Sequence, residues 1–384
     1  MKIPIRYNLG SLWARRTGTL MAVLGIAFTV AIFVTMMALV HGLDATFVET
    51  GQDNQLIVIR QGSQNETNSY FNRDLFTTVK FLPGVARGAD GEPMAVGENV
   101  VIINHERLSG QASNLMVRGT SSACIPLRPE VKLVEGRWFN PGLREICASR
   151  SMSRRFRNLG LGDTIHFAKS DWKVVGLFDA DGSAYDSEVW ADYGEICDDW
   201  DRPSYSSILL RAENATAAEA IRKRVADDRR INLQAIPQKK YYADQTSTSG
   251  GIKALGYFIA VVLGIGASFA AMNMMYSAVM TRSKEVATLR ALGFRRRSIL
   301  GSFLMESVIL GLTGGLLGCA MAMPLHGISS ATANFQTFSE VLFNFRITPA
   351  ILARGLIYAA AVGALGGYLP ARRAARARLI DIMR

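Results

Sequence analysis

Four stretches of this 384-residue chain run for 22 residues or more with at most one charge. Residues 18–40 and 254–280 carry no charge at all. Residues 304–325 have Glu306 near one end, and residues 347–369 contain Arg354. About 20 apolar residues in a helix cross roughly 30 Å of hydrocarbon, so each run is long enough to span a membrane. A wholly soluble fold is thereby excluded. The 49% hydrophobic content alone would not have decided this; its concentration in four places does. The first run follows Arg15 and Arg16. It is too long for the apolar region of a signal peptide and lacks Ala-x-Ala at its end, so it reads as an uncleaved helix. Arg354 reads as a boundary residue whose side chain snorkels to the outer interface.

The formal net charge of +11 has the look of a nucleic-acid binder, but its distribution removes that reading. Residues 1–17, 281–302 and 371–384 hold 15 Lys and Arg against two acids, Glu285 and Asp381. Residues 43–250 hold 25 basic against 28 acidic side chains. Positive charge confined to short segments beside apolar runs is the positive-inside pattern, and no basic face for DNA or RNA remains. Both termini and 281–302 are therefore expected in the cytoplasm and 43–250 outside it, in the cell inner membrane. The expected plan is four transmembrane α-helices with a large α+β extracytoplasmic domain inserted between helices 1 and 2. Its parts are a cytoplasmic amphipathic segment 1–17, helix 1 at 18–42, the outer domain 43–250, helix 2 at 251–280, a cytoplasmic coupling loop 281–302, helix 3 at 303–325, a short outer loop 326–346, helix 4 at 347–370, closed by Pro370, and a basic tail 371–384. In segment 1–17, Ile5, Leu9, Leu12 and Trp13 form one apolar stripe beside basic residues, as in an interfacial helix. Gly311, Gly314, Gly315 and Gly318, with Gly363, Gly366 and Gly367, let helices approach closely; intramolecular packing is the expected use. Asn273 and Glu306 are the polar groups expected in the membrane interior, Asn273 as a helix–helix hydrogen bond.

The outer domain shows short runs rich in Val and Ile at 56–60, 100–104, 115–118, 131–135, 164–167, 172–178 and 207–211, which predict strands. A helix is predicted over 151–159, and another over 217–227 opened by a Thr216–Glu219 capping box. Asp179, Asp181, Asp186 and Glu188 surround Gly182, but the glycine falls at the wrong position for a calcium loop, so an acidic surface turn is expected. The four histidines have no metal-ligand spacing. Cys124, Cys147, Cys197 and Cys319 contain no Cys-x-x-Cys pair and read as small buried hydrophobes. The sequence has no Gly-Lys dipeptide and hence no P-loop. No catalytic, cofactor-binding or metal-binding residue is expected; any ATP and Mg belong to a partner subunit.

The most informative segment lies between the second and third runs. Val286, Leu289 and Leu292 are expected on one helical face, Ala287 and Ala291 add small side chains, and Gly293 is placed to end the helix. Read blandly, it is a basic loop for anionic lipid; read functionally, a docking knob for a cytoplasmic partner. Phe294 follows the glycine. The pattern of Arg282, Lys284, Glu285, Val286, Ala287, Leu289, Arg290, Ala291, Leu292, Gly293 and Arg296, followed by Ile299, Phe303 and Glu306, resembles the coupling loop of MacB/FtsX-type ABC transporter permeases, the type VII or mechanotransmission family. The ending Pro370-Ala-Arg-Arg-Ala-Ala is similar to that family's, although Ile380 stands where the family often has Pro. Leu133-Val-Glu-Gly-Arg137, Leu161-Gly-Asp163 and Trp172-Lys-Val-Val-Gly176 resemble its periplasmic core domain, which in the family divides into two lobes whose boundary this sequence does not show.

The resemblance implies a permease without a fused ATPase. Its partners would be a separate ABC ATPase subunit, a second permease copy, membrane lipids and a periplasmic adaptor. ATP binding would drive the outer domains by leverage through residues 282, 284–286 and 289–294. Efflux of a hydrophobic compound or peptide is the leading expectation. Lipoprotein release and cargo-free signalling to an outer hydrolase are the alternatives. A stand-alone membrane-anchored binding protein would need no coupling segment.

Overall fold

The computed structural model describes residues 16–48, 50–245, 249–333, 337 and 339–376. The stripe of Ile5, Leu9, Leu12 and Trp13 and the tail beyond Arg376 lie outside them. The chain begins with α1 (Arg16–Val48), 33 residues and so about 50 Å long. A twelve-stranded segment follows: β1 (Gln55–Arg60), β2 (Phe71–Asn72), α2 (Asp74–Lys80), β3 (Ala95–Glu106), β4 (Ala112–Thr120), β5 (Lys132–Gly136) and β6 (Glu145–Ser149). Then come α3 (Arg150–Ser153), β7 (Thr164–Phe167), β8 (Ser170–Asp179), β9 (Glu188–Asp192), α4 (Tyr193–Asp199), β10 (Ser204–Tyr205), β11 (Ser207–Arg211), α5 (Ala215–Asp227), β12 (Leu233–Pro237) and α6 (Gln238–Gln245). The remainder is α7 (Ser249–Thr281), α8 (Ser283–Ala291), α9 (Arg296–Ala322), β13 (Ser329–Ala333), β14 (Glu340–Asn344) and α10 (Pro349–Arg376).

Two compact units result. A helical unit comprises Met1–His41, Gly251–Ile328 and Phe345–Arg384; a sheet unit comprises Gly42–Gly250 and Ser329–Asn344. In the helical unit α1, α7, α9 and α10 are each long and apolar enough to cross a membrane. Glycines set how closely they pack. A Cβ on Gly311 of α9 would stand 2.5 Å from the Ala359 carbonyl oxygen of α10, and one on Gly318 2.5 Å from the Ala27 carbonyl oxygen of α1. A Cβ on Gly366 of α10 would stand 2.7 Å from the Ala271 Cβ of α7. Backbones meet where side chains would otherwise hold them apart, so the glycines serve intramolecular packing as the sequence suggested. The fourth helix differs from expectation at its end: it runs through Pro370 to Arg376. Proline removes one intrahelical hydrogen bond, but Ala371, Ala374 and Ala375 are buried in an apolar cluster with Met275, Val286 and Phe303. That packing holds the final turns.

The sheet unit is built on one ten-stranded sheet of order β12-β1-β11-β3-β4-β9-β6-β8-β5, with β7 also on β8. Only β4/β9 and β6/β8 are parallel. Its twelve-residue strand β3 pairs with β11 over residues 95–98 and with β4 over residues 99–106. Each half has its own core. Leu56, Val58, Ile208, Leu210, Ile221 and Val225 fill one; Val101, Leu115, Val117, Trp172 and Val189 belong to the other. The lobe boundary that the sequence does not show therefore crosses β3 near Glu98.

Two helix expectations change. The helix predicted over 151–159 is only α3, because the chain turns at Arg155 and Asn158 takes a left-handed φ of 52°. The cap of α5 is Asn214, whose Oδ1 accepts from the Ala217 amide at 2.8 Å, not Thr216. The loop between α9 and α10 holds the β13–β14 hairpin, which belongs to the sheet unit. Leu342 packs in the second core. Glu340, its side chain 1% exposed, accepts from Arg107 Nη2 at 2.6 Å and Arg155 Nη2 at 2.8 Å.

Candidate functional site

The segment singled out in the sequence folds as α8 followed by a tight reversal into α9. Gly293, at φ +88°, closes the helix: its amide donates to the Arg290 carbonyl at 3.1 Å, and the Phe294 amide donates to that of Leu289 at 3.1 Å. This is a Schellman motif, in which glycine takes the left-handed conformation other residues avoid. Arg295 then precedes α9 in extended conformation.

The helix divides its side chains between a buried and an outer face. Val286 and Ala287 are buried. Val286 joins a cluster with Val23 of α1, Met275 and Val279 of α7, Ile299 and Phe303 of α9 and Ala371 of α10. All four long helices thus meet α8 in one apolar core. Leu289, Arg290 and Phe294 are half-buried, while Lys284, Glu285, Ala291 and Gly293 are exposed. Leu292 is 67% exposed and does not share a face with Val286 as the sequence reading had it. Six residues at about 100° each place it some 240° around from Val286.

Arg282 is the charged hinge of the segment. Its Nη1 donates to Glu306 of α9 at 3.2 Å, and its Nε lies 3.6 Å from Glu285. Glu306 is 3% exposed, so the polar group expected in the membrane interior has a partner within the chain. A carboxylate removed from water needs such a partner. Asn273, the other polar group, behaves differently. It lies on an exposed face of α7 with Phe258, Val262, Ile265 and Phe269, and bonds to no other described residue. The helix–helix hydrogen bond expected of it is not made among the described residues.

The sheet unit contains a second constellation, invisible in the sequence. Arg118 of β4 donates to Glu66, Glu98 and Glu188 at 2.7–3.1 Å, and Arg128 donates to both oxygens of Glu98 at 2.7 Å. All five side chains are buried. Thr120 and Ser207 hydroxyls and the Trp190 indole donate to the same carboxylates. Burial pushes the Glu98 carboxyl up, but the Arg128 and Arg118 guanidiniums outweigh it and hold the group at about 2. Two cations against three carboxylates, all hydrogen-bonded, make a rigid junction between the lobes. These residues are scattered over more than 120 positions, from Glu66 to Glu188, and no local pattern announces them.

The acidic cluster around Gly182 is a surface turn only in part: Asp179 and Asp181 are exposed at it, while the other two acids turn inward. Glu188 belongs to the junction, and Asp186 is buried, its oxygens accepting from the Ala180 and Gly182 amides at 2.9 and 2.7 Å. Among the described residues no group of His, Cys, Asp or Glu could hold a metal ion. All four cysteines are free and buried, and burial pushes the Cys124 and Cys147 thiols up to about 11 and about 12. Those two thiols are inert at neutral pH.

Comparison with known proteins agrees with this architecture. Residues 19–228 match the MacB-like periplasmic core domain, and residues 257–379 match the FtsX-like permease C-terminal family. The chain is 24% identical over 397 residues to the macrolide export ATP-binding/permease protein MacB of Sodalis glossinidius, covering 96% of this chain and 58% of that protein. It thus spans a little over half the length of that relative. It is 23% identical over 410 residues to the ABC transporter permease YknZ of Bacillus subtilis, covering 99% of this chain and 98% of the other. The crystal structure of the extracellular domain of YknZ from Gram-positive bacteria aligns with 48% of this chain and all of that one, at 16% identity and a TM-score of 0.37. With both of its units matched, the chain belongs to the MacB/FtsX-type family of ABC transporter permeases, membrane proteins with a large extracytoplasmic domain between their first two helices.

Proposed function

We propose that this permease couples a separate ATPase to its sheet unit through α8, and that it serves export of a hydrophobic compound or peptide. The observation that carries this reading is the division of α8 into two faces. Val286 roots it in a core shared by all four long helices, while Leu292, Glu285 and Lys284 face outward. An exposed leucine flanked by charges suits a protein contact, and a push on α8 has a packed route to every helix. In this reading both termini and α8 are cytoplasmic, which the flanking charge supports, and ATP with Mg binds only the partner.

Two further observations support the rest. Polar groups of the helical unit are mostly spent within it: Ser268 Oγ donates to the Gly264 carbonyl, Tyr358 OH to that of Ala260, and Arg282 to Glu306. No polar path for cargo is built among the described helices, which favours cargo handling by the extracytoplasmic unit. The exposed apolar face of α7 with its Asn273 amide suits a second permease copy, since an amide facing lipid lacks a partner. Relatives named for macrolide and pyoverdine export favour small-molecule efflux as the reading.

The test is reconstitution with the candidate ATPase. Glu285→Lys is expected to abolish stimulation of ATP turnover while the four helices stay folded, because the reversal places like charges together. Unchanged turnover overturns the docking role. Failure of any ATPase to co-purify with the unaltered chain overturns the coupling reading itself.

A further inference from the structure

The hairpin β13–β14 closes one side of a pocket that the coupling reading does not use. The pocket measures about 160 Å³ and lies between β14, α3 and the turn before β9. A cavity of about 150 Å³ admits benzene, so this one has room for a phosphate-sized group with bound water.

Its hydrogen-bonding groups are out of balance. Arg154 lines it, and no hydrogen bond, ion pair or ring contact engages its guanidinium among the described residues. The Ser151 hydroxyl lines it and likewise donates to nothing described. Asn344 accepts from Ser329 Oγ at 2.7 Å through its Oδ1, which leaves its amide NH₂ to donate. Arg155 gives Nε and Nη2 to Glu340, and its Nη1 has no described partner. The acid in the wall, Asp186, is satisfied: both oxygens accept backbone amides. Surplus donors from two elements, a guanidinium in excess and a carboxylate already satisfied call for an acceptor-rich anion.

We propose that this pocket binds a phosphate group, a free phosphate or phosphomonoester or the headgroup of a phospholipid, with Arg154 as its principal cation and Ser151 and Asn344 as neutral donors. The proposal stands apart from the coupling reading and needs no ATPase.

Calorimetric titration of the full chain in a maltoside micelle tests it, with two probes: inorganic phosphate and a water-soluble short-chain phosphatidic acid. Saturable binding is expected, weakened about ten- to a hundredfold by Arg154→Gln, the loss of one charge-assisted contact, and less by Ser151→Ala. Lys223→Gln, on the exposed surface of α5, is expected to change nothing. Equal binding of both probes identifies a soluble-phosphate site; binding of the lipid alone identifies a headgroup site. Arg154 is exposed, so the variant folds, and an unchanged melting curve checks this. No saturable binding of either probe, or binding that Arg154→Gln leaves intact, overturns the proposal.

Discussion

In the helical unit the closest approaches run over glycine, with a Cβ on Gly363 falling 2.5 Å from the Ser307 carbonyl oxygen. At the centre of the sheet unit sits a knot of buried charge around Arg118 and Glu98. The difference follows the solvent. Lipid supplies no hydrophobic force between apolar helices, so close packing must bind them. In water apolar cores form readily, as they do in each lobe, and a buried ionic junction, in which every carboxylate is paired and Arg128 Nε alone lacks an acceptor, fixes how the lobes meet. The helical unit is thus sensitive to added volume and the sheet unit to lost charge.

The largest effect is expected from Arg118→Leu, which strands Glu66 and Glu188 and takes from Glu98 one of its two cations. Breaking a buried pair costs about 3–5 kcal/mol. The sheet unit should lose its cooperative thermal transition, followed by fluorescence of the buried Trp172 and Trp190. An unchanged transition would show that the junction is not what joins the lobes.

Acid should act on the same junction. Glu98 is held at about 2 against an ordinary 4.5. Because its folded value is depressed, the stabilisation is complete above 4.5 and is lost as pH falls toward 2. A shift of this size corresponds to about 3 kcal/mol. Denaturant midpoints measured between about pH 5 and pH 2 should fall for the unaltered chain and stay flatter for Glu98→Gln, which starts lower.

Added volume sharpens the other side of the comparison. Gly311→Val forces apart α9 and α10, at about 1–3 kcal/mol for an overpacked contact. Unfolding of the helical unit in mixed micelles should report it, while the fluorescence transition of the sheet unit stays in place.

A smaller effect is expected at the hairpin. Glu340→Gln weakens the ties to Arg107 and Arg155, whose side chains are 29% and 31% exposed and regain water. About 1 kcal/mol is expected, since solvent screens such pairs. Hydrogen exchange at the Leu342 amide, which donates to Ser187 Oγ at 2.9 Å, should quicken without global unfolding.

What the sequence made legible was local. The four apolar runs became the four long helices because length and apolarity alone specify them. Residues 164–167 and 207–211 became β7 and β11 because β-branched, bounded runs carry their own signal. The α8 segment announced itself through spacing and Gly293. Missed were β6, β9 and β12, whose short runs Glu145–Ser149, Glu188–Asp192 and Leu233–Pro237 mix acids, small residues and proline. They are strands because neighbouring strands pair with them, β6 and β9 on both sides and β12 along β1. The hairpin was hidden for the same reason, Ser-Ser-Ala-Thr-Ala having little strand preference of its own. The ionic junction joins positions 66, 98, 118, 128 and 188, and only tertiary contact brings them together. Three-residue steps from Val286 reach Leu292 in sequence but leave its face after one turn, which is why spacing alone does not place it.

The most direct measurement follows movement of the sheet unit while α8 is altered. Spin labels at Leu108→Cys, on the exposed turn between β3 and β4, would report the distance between the two permease copies of the proposed complex; the buried native thiols do not compete for label. Coupling through α8 predicts that ATP shifts this distance in the unaltered protein and leaves it fixed in Leu292→Asp. The same ATP-driven shift in both proteins would contradict it.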